Sequence, residues 1–144
     1  MKKNKGFTLI ELLAVIVVLA VIALIATPIV LKLVNNAKEG AAESSATAYI
    51  KAVENGIMAK LINEPDTSFN GIFTVSQDKT KIISESGVEI NVDVKGNLPA
   101  QGSVVTIDEN GTVTNATFNI SNYEVECTTD KCKVKGKKEQ EDDE

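Results

Sequence analysis

The chain predicts an α+β fold: a long N-terminal helix, apolar in its first half and amphipathic in its second, packed against a small antiparallel β-meander. Three observations carry this expectation. An uncharged apolar run extends from Leu12 to Leu31. Apolar residues then recur at helical spacing as far as Leu61. Beyond Gly87, apolar and polar residues alternate between turn signals.

The run from Leu12 to Leu31 holds twenty residues, and at about 1.5 Å per residue it spans about 30 Å, the thickness of a hydrocarbon core. Fourteen of the twenty are Leu, Ile or Val. Each is worth roughly −0.3 to −0.6 kcal/mol on an insertion scale, so insertion prevails over the roughly 3 kcal/mol cost of an acid, Glu11, at its mouth. Lys2, Lys3 and Lys5 precede the run and hold the N-terminus on the cytoplasmic side, which places the bulk of the chain outside. A secretory signal peptide has an apolar region of only about 7 to 15 residues and a small-residue cleavage site. The present run is longer, and Leu24-Ile25-Ala26 fits such a site poorly. An uncleaved anchor stays open.

Glu11 has two readings. Thr8 and Glu11 have the spacing of a capping box, in which each side chain satisfies a free backbone N–H at a helix start. That reading needs no partner. The second begins from Gly6, whose missing side chain suits an extended, protease-accessible backbone. Cleavage after Gly6 would create an amine at Phe7, a cation for Glu11 of the same chain or of a neighbour, and an intramembrane charge is tolerated best when paired.

The Lys-rich leader, Gly6, Phe7-Thr8-Leu9-Ile10-Glu11 and the apolar run together resemble a type IV pilin precursor over residues 1 to about 35. The resemblance implies cleavage after Gly6 and N-methylation of Phe7 by a membrane prepilin peptidase/methyltransferase. It implies that Glu11 meets the N-terminal amine of an adjacent subunit during assembly, and it matches Pro28 to a helix-disturbing proline. It further implies a pilin-like structural subunit that inserts in the cytoplasmic membrane, engages a pilus assembly platform and its ATPase, and homo-polymerises into an extracellular filament of the kind used in adhesion and motility. The small head favours the major subunit. A pseudopilin of a type II secretion or DNA-uptake system shares the same N-terminal chemistry, and a single-pass membrane-anchored binding module is the alternative of another class.

Independently of the family, Pro28 removes a backbone hydrogen bond and clashes one turn back, at roughly 3 kcal/mol, so a kink or unwound turn is expected between Ala23 and Pro28. Thr27 is placed to satisfy a freed carbonyl, and a segment that stretches in a filament is the functional counterpart. After Lys32 an apolar stripe of Val34, Ala37, Ala41, Ala48, Tyr49, Ala52, Val53, Gly56, Ile57 and Leu61 faces a polar side with Lys38, Glu39, Glu43, Lys51, Glu54 and Asn55. Gly40 and Gly56 permit bending or close packing. Asn63-Glu64-Pro65-Asp66 ends the helix.

The stretch 66–87 reads as an irregular connection with short strands around Ile72 to Val75 and Lys81 to Ser84, followed by an alternating strand from Val88 to Val94. Asn110-Gly111 signals a two-residue hairpin that sets Val105 against Ala116 and Ile107 against Thr114. A turn at Ser121-Asn122 pairs Ile120 with Tyr123 and Phe118 with Val125. A third, from Thr128 to Lys131, pairs Val125 with Val134, Glu126 with Lys133 and Glu124 with Lys135, matching charge to charge. The same register sets Cys127 against Cys132, and the exterior location permits a disulfide there in preference to two buried thiols. The expected organisation is a cleaved leader (1–6), a membrane and assembly helix (7–31), an amphipathic helix (32–63), a β-sheet head (64–136) and an acidic tail (137–144).

Composition argues against chemistry: the chain has no histidine, arginine or tryptophan and only two cysteines. It lacks a phosphate loop, a Cys-x-x-Cys pair and a nucleophile motif. The expectation is a non-enzyme with no catalytic residues, no cofactor and no metal. From Asn35 onward eleven lysines face nineteen acids, a net of −8. An average surface of that sign repels nucleic acid, and the basic cluster Lys131, Lys133, Lys135, Lys137 and Lys138 has Glu124 and Glu126 to face. The triplets at Asn110, Asn115 and Asn119 fit the N-glycosylation pattern by chance in a Thr-rich region.

Overall fold

The computed structural model describes residues 6–138; Lys2, Lys3 and Lys5 of the leader and the acidic residues 139–144 lie outside the described residues. Among the described residues one helix, α1 (Leu9–Asn63), is followed by seven strands: β1 (Gly71–Val75), β2 (Lys81–Ser84), β3 (Glu89–Asn91), β4 (Val104–Ile107), β5 (Val113–Ile120), β6 (Tyr123–Thr128) and β7 (Cys132–Lys137). The α+β class is the one expected. α1 crosses the boundary between the two units of the chain, Met1–Lys38 and Glu39–Glu144.

In the second unit, α1 buries Ala42, Ala46, Tyr49, Ala52, Val53 and Ile57. Tyr49, Ala52, Val53 and Ile57 belong to the stripe expected from the sequence, whereas Ala41 and Ala48 are exposed and Ala42 and Ala46 take their place. Alanine is too small and too frequent here to mark the phase of a helix face; Tyr49 and Val53 set it, and positions one turn earlier on their side are 42 and 46. Gly56 lies where the helix comes closest to β3. A Cβ there would stand 2.2 Å from the Asn91 carbonyl oxygen and 2.8 Å from Ile90 Cγ2, so only glycine permits this approach. The helix closes with Glu64 N donating to Lys60 O (2.8 Å) and Asn63 Nδ2 donating to Ala59 O (3.0 Å), and Pro65 follows.

The seven strands form a single antiparallel sheet in the order β3-β2-β1-β4-β5-β6-β7. The meander read from the sequence is its β4–β7 half. The two short strands expected within 66–87 are present as β1 and β2, and β1 joins the sheet through β4, pairing Gly71 with Ile107 and Phe73 with Val105. The strand expected over 88–94 is shorter than its alternation: only Glu89–Asn91 pairs. β3 is one edge of the sheet, and past Asn91 the Val92 amide turns to the Thr80 carbonyl (2.7 Å). The alternation survives as burial, with Ile90 and Val92 inside.

Two register details differ from expectation, each because a strand carries one extra residue. Asn110-Gly111 is not a two-residue turn: Gly111 N bonds Asp108 O (3.1 Å) and Asp108 N bonds Thr112 O (3.0 Å), with Gly111 at φ 78°. This is a three-residue loop with a left-handed glycine. Asp108 Oδ1 braces it by accepting the Asn110 and Thr112 amides, both at 2.9 Å. Ile107 therefore opposes Val113 rather than Thr114, and an irregularity between Thr106 and Ile107 returns Val105 to Ala116 as expected. At β6–β7 a second irregularity opposes Glu124 to Gly136 rather than Lys135, while Val125↔Val134, Glu126↔Lys133 and Cys127↔Cys132 hold. The Lys135 ammonium donates to Glu126. Ser121 and Asn122 both have positive φ, 49° and 69°, as a two-residue hairpin turn on the right-handed sheet twist requires.

Phe73, Ile82, Val105, Phe118 and Val125 pack with Tyr49, Val53 and Ile57 in one core. Tyr49 meets Phe118 edge to face, with centroids 5.4 Å apart at 74°, a geometry worth about 0.5–1.5 kcal/mol beyond area burial.

Candidate functional site

The first turn of α1 gathers the polar chemistry of the N-terminal unit. Thr8 stands just before the helix, and its backbone carbonyl accepts the Leu12 amide (3.2 Å). Its side-chain oxygen accepts the Glu11 amide (3.3 Å). In return, Glu11 Oε2 accepts both the Thr8 amide (2.8 Å) and the Thr8 hydroxyl (2.7 Å). The reciprocal arrangement is a capping box, which satisfies two donors that a helix start leaves free. Both of Thr8's bonds fall on one carboxylate oxygen. Among the described residues Glu11 Oε1 accepts no hydrogen bond, so half of the carboxylate is open to a second donor while the cap is made.

Phe7, Leu12, Ala14 and Val15 line a shallow concavity with Glu11. Phe7 and Glu11 thus border the same concavity. Gly6, exposed, precedes them with no atom within 4 Å of where a Cβ would sit.

From Gly6 to Lys38 every residue but Ala26 is exposed. The exposed side chains include Leu12, Val15, Leu19, Ile22, Ile29 and Leu33, on all sides of the helix. α1 is long and apolar enough to cross a membrane, and a helix apolar all round is one that lipid or other helices surround. Pro28 lies about 25 Å along the axis from Glu11. The helix continues through it with no unwound turn, and Thr27 Oγ1 donates to the Ala23 carbonyl at 2.6 Å, the local compensation expected of a proline-bearing membrane helix.

In the second unit Cys127 and Cys132 form a disulfide across β6 and β7. A contact that sequence reasoning missed sits beside it: Glu43 Oε1 accepts the Val134 amide of β7 at 2.9 Å, across 91 positions of chain. The helical spacing of the sequence places Glu43 on the polar face of α1. It is half-buried and caps a backbone donor of the edge strand, and only the pairing of Val134 with Val125 at the sheet's end could have pointed to it. Charged pairs on the head are surface features. Glu126 holds the Lys135 ammonium protonated above its ordinary range, and Glu89, 3.0 Å away, does the same for Lys81. The Ser76 hydroxyl and the Thr80 side chain and amide hold the exposed Asp78 carboxyl below the usual carboxylate range.

Residues 1–27 match the family model of the prokaryotic N-terminal methylation motif. This is the type IV pilin prepilin signature; it supports a type IV pilin-like or pseudopilin protein, and it implies processing by a prepilin peptidase and pilin-type assembly. It points to a structural subunit rather than an enzyme and, with the apolar helix, to a membrane-anchored precursor. No curated protein and no solved structure matches the chain.

Proposed function

We propose that the chain is a structural subunit, the major one, of an extracellular type IV pilus, polymerising through the first half of α1 after its leader is cut between Gly6 and Phe7. The membrane serves as the store. There the helix exchanges lipid contacts for contacts with the helices of neighbouring copies, and the head is carried to the filament surface.

The observation that carries this reading is the half-occupied carboxylate of Glu11 at the start of the apolar, exposed first half of α1. Cleavage converts the Phe7 amide into an amine, and N-methylation leaves it cationic near neutral pH. That cation on an adjacent copy is a counterpart for Glu11 Oε1, and it sets the axial step between subunits because an unpaired charge among apolar helices is costly. The cytoplasmic membrane, the peptidase/methyltransferase, and an assembly platform with its ATPase are the partners this mechanism requires.

Electron microscopy of filaments sheared from expressing cells, with mass spectrometry of their N-terminal peptide, tests the reading. The expected result is filaments of this chain whose first residue is methylated Phe7. A surface-exposed protein still beginning at Met1, with no filaments, would refute it.

A further inference from the structure

The middle of the head's sheet carries no charge on the face turned away from the core. Ile72 and Thr74 of β1, Val104 and Thr106 of β4, and Asn115 and Thr117 of β5 make up that face. They form a cross-strand grid, with Ile72 opposite Thr106, Thr106 opposite Asn115, Thr74 opposite Val104 and Val104 opposite Thr117. Charges border the grid on both sides: Lys81 and Glu89 towards the β3 edge, Glu124 and Glu126 on β6. Ile72 stands 55% exposed.

Such a face is unexpected on a chain with a net of −8 from Asn35 onward. Two copies meeting through the acidic parts of their heads bring like charges together, a repulsion that salt screens over about 10 Å. Through the grid they bring methyl groups, hydroxyls and amides together instead. We propose that this face is a self-association surface: the same face of a second copy, in a neighbouring filament, packs on it, and filaments lie side by side.

The inference rests on the filament reading, and its size explains why. Three strands about 4.8 Å apart by about four residues of 3.4 Å span only roughly 200 Å², far below the about 800 Å² per partner of a stable pair. A lone subunit therefore stays single. Association needs many copies in register along two filaments, where tethering multiplies weak contacts.

The test is low-speed sedimentation and electron microscopy of sheared filaments of the full chain across ionic strength. Parent filaments are expected to bundle, more so as salt rises. Thr117→Asp and Thr117→Lys should each reduce the pelleted fraction at low salt by at least about tenfold, while an equal mixture of the two restores it. Thr117→Asn, which adds no charge, and Thr129→Asp, in the exposed β6–β7 turn, should bundle like the parent, which separates charge on this face from damage to the strand. Parent filaments that stay single at every ionic strength, or charged Thr117 variants that bundle unchanged, would overturn the inference. So would bundles that disperse once a neutral polysaccharide is digested away, since the occupant would then be a glycan. A complete absence of filaments would instead remove the filament reading, and this inference with it.

Discussion

Thr8 donates its amide and its hydroxyl to the same oxygen of Glu11, and Glu11 returns its own amide to Thr8. Helix capping and charge pairing are therefore separable at Glu11. Glu11→Gln keeps an acceptor oxygen for the cap and removes the anion; Glu11→Ala removes both. We expect both variants to insert in the membrane and both to lose surface filaments, scored by shearing and microscopy. Filaments persisting in Glu11→Gln alone would mean that capping is the whole role of this residue.

Gly56→Ala tests the close approach of α1 to β3. Alanine gains about 1 kcal/mol of helix propensity, but its methyl group would collide with the Asn91 carbonyl, a backbone atom with little room to yield. Overpacking of this kind costs typically about 1–3 kcal/mol. The expected outcome is a net loss of head stability, read as a lowered denaturation midpoint of the full chain in detergent.

Glu43→Ala should leave the Val134 amide without its partner, at about 1–3 kcal/mol. Glu43→Gln preserves an acceptor oxygen and should recover most of that. Hydrogen exchange at Val134 is the direct measurement: faster in Glu43→Ala, near parent rates in Glu43→Gln.

Cys127→Ser opens a loop of about six residues, which in the chain-entropy model destabilises by about 2 kcal/mol. Because the backbone register of β6 and β7 is also held by Val125↔Val134 and Glu126↔Lys133, the variant should still fold. Equal midpoints for parent and variant under oxidising conditions would show that the cross-link adds nothing.

Tyr49 makes the head sensitive to alkali. Burial, with the Asp78 charge second, pushes its phenol from 10.0 up to about 12. The unfolded chain releases that proton near pH 10 while the folded chain retains it, so stability should fall from about pH 10 to about pH 12 and be unaffected by this group below that window. Absorbance at phenolate wavelengths should show one tyrosine titrating late or together with unfolding. Tyr49→Phe should flatten this part of the pH profile. It should also equal or exceed the parent's stability at neutral pH, since the hydroxyl is buried with no hydrogen-bond partner among the described residues.

The order in which the fold could be read from sequence follows the range of its contacts. Hairpin registers such as Phe118↔Val125 and Val125↔Val134 were legible because one-residue slips would move valines to the wrong face. Ile107↔Thr114 was misjudged because Asn-Gly reads as a two-residue turn, whereas Asp108's carboxylate stabilises a longer one. The pairing of β1 with β4 had no local signal, since Gly71 and Ile107 are joined by a chain that first makes β2 and β3. At the N-terminus the Thr8–Glu11 contact was plain from its spacing of three. Which carboxylate oxygen stays open was not, because spacing carries no information on side-chain orientation.

The strand order β3-β2-β1-β4-β5-β6-β7 has a kinetic consequence. From β4 onward each strand finds its partner across a short turn, so that half can zip up on the microsecond scale of hairpins. Joining β1 to β4 must first close a loop of twenty-eight residues between Val75 and Val104, an entropic debt settled only when both halves already exist. The seam at Phe73 and Val105 is thus where the nascent head is last to knit, and where it is longest exposed to wrong partners.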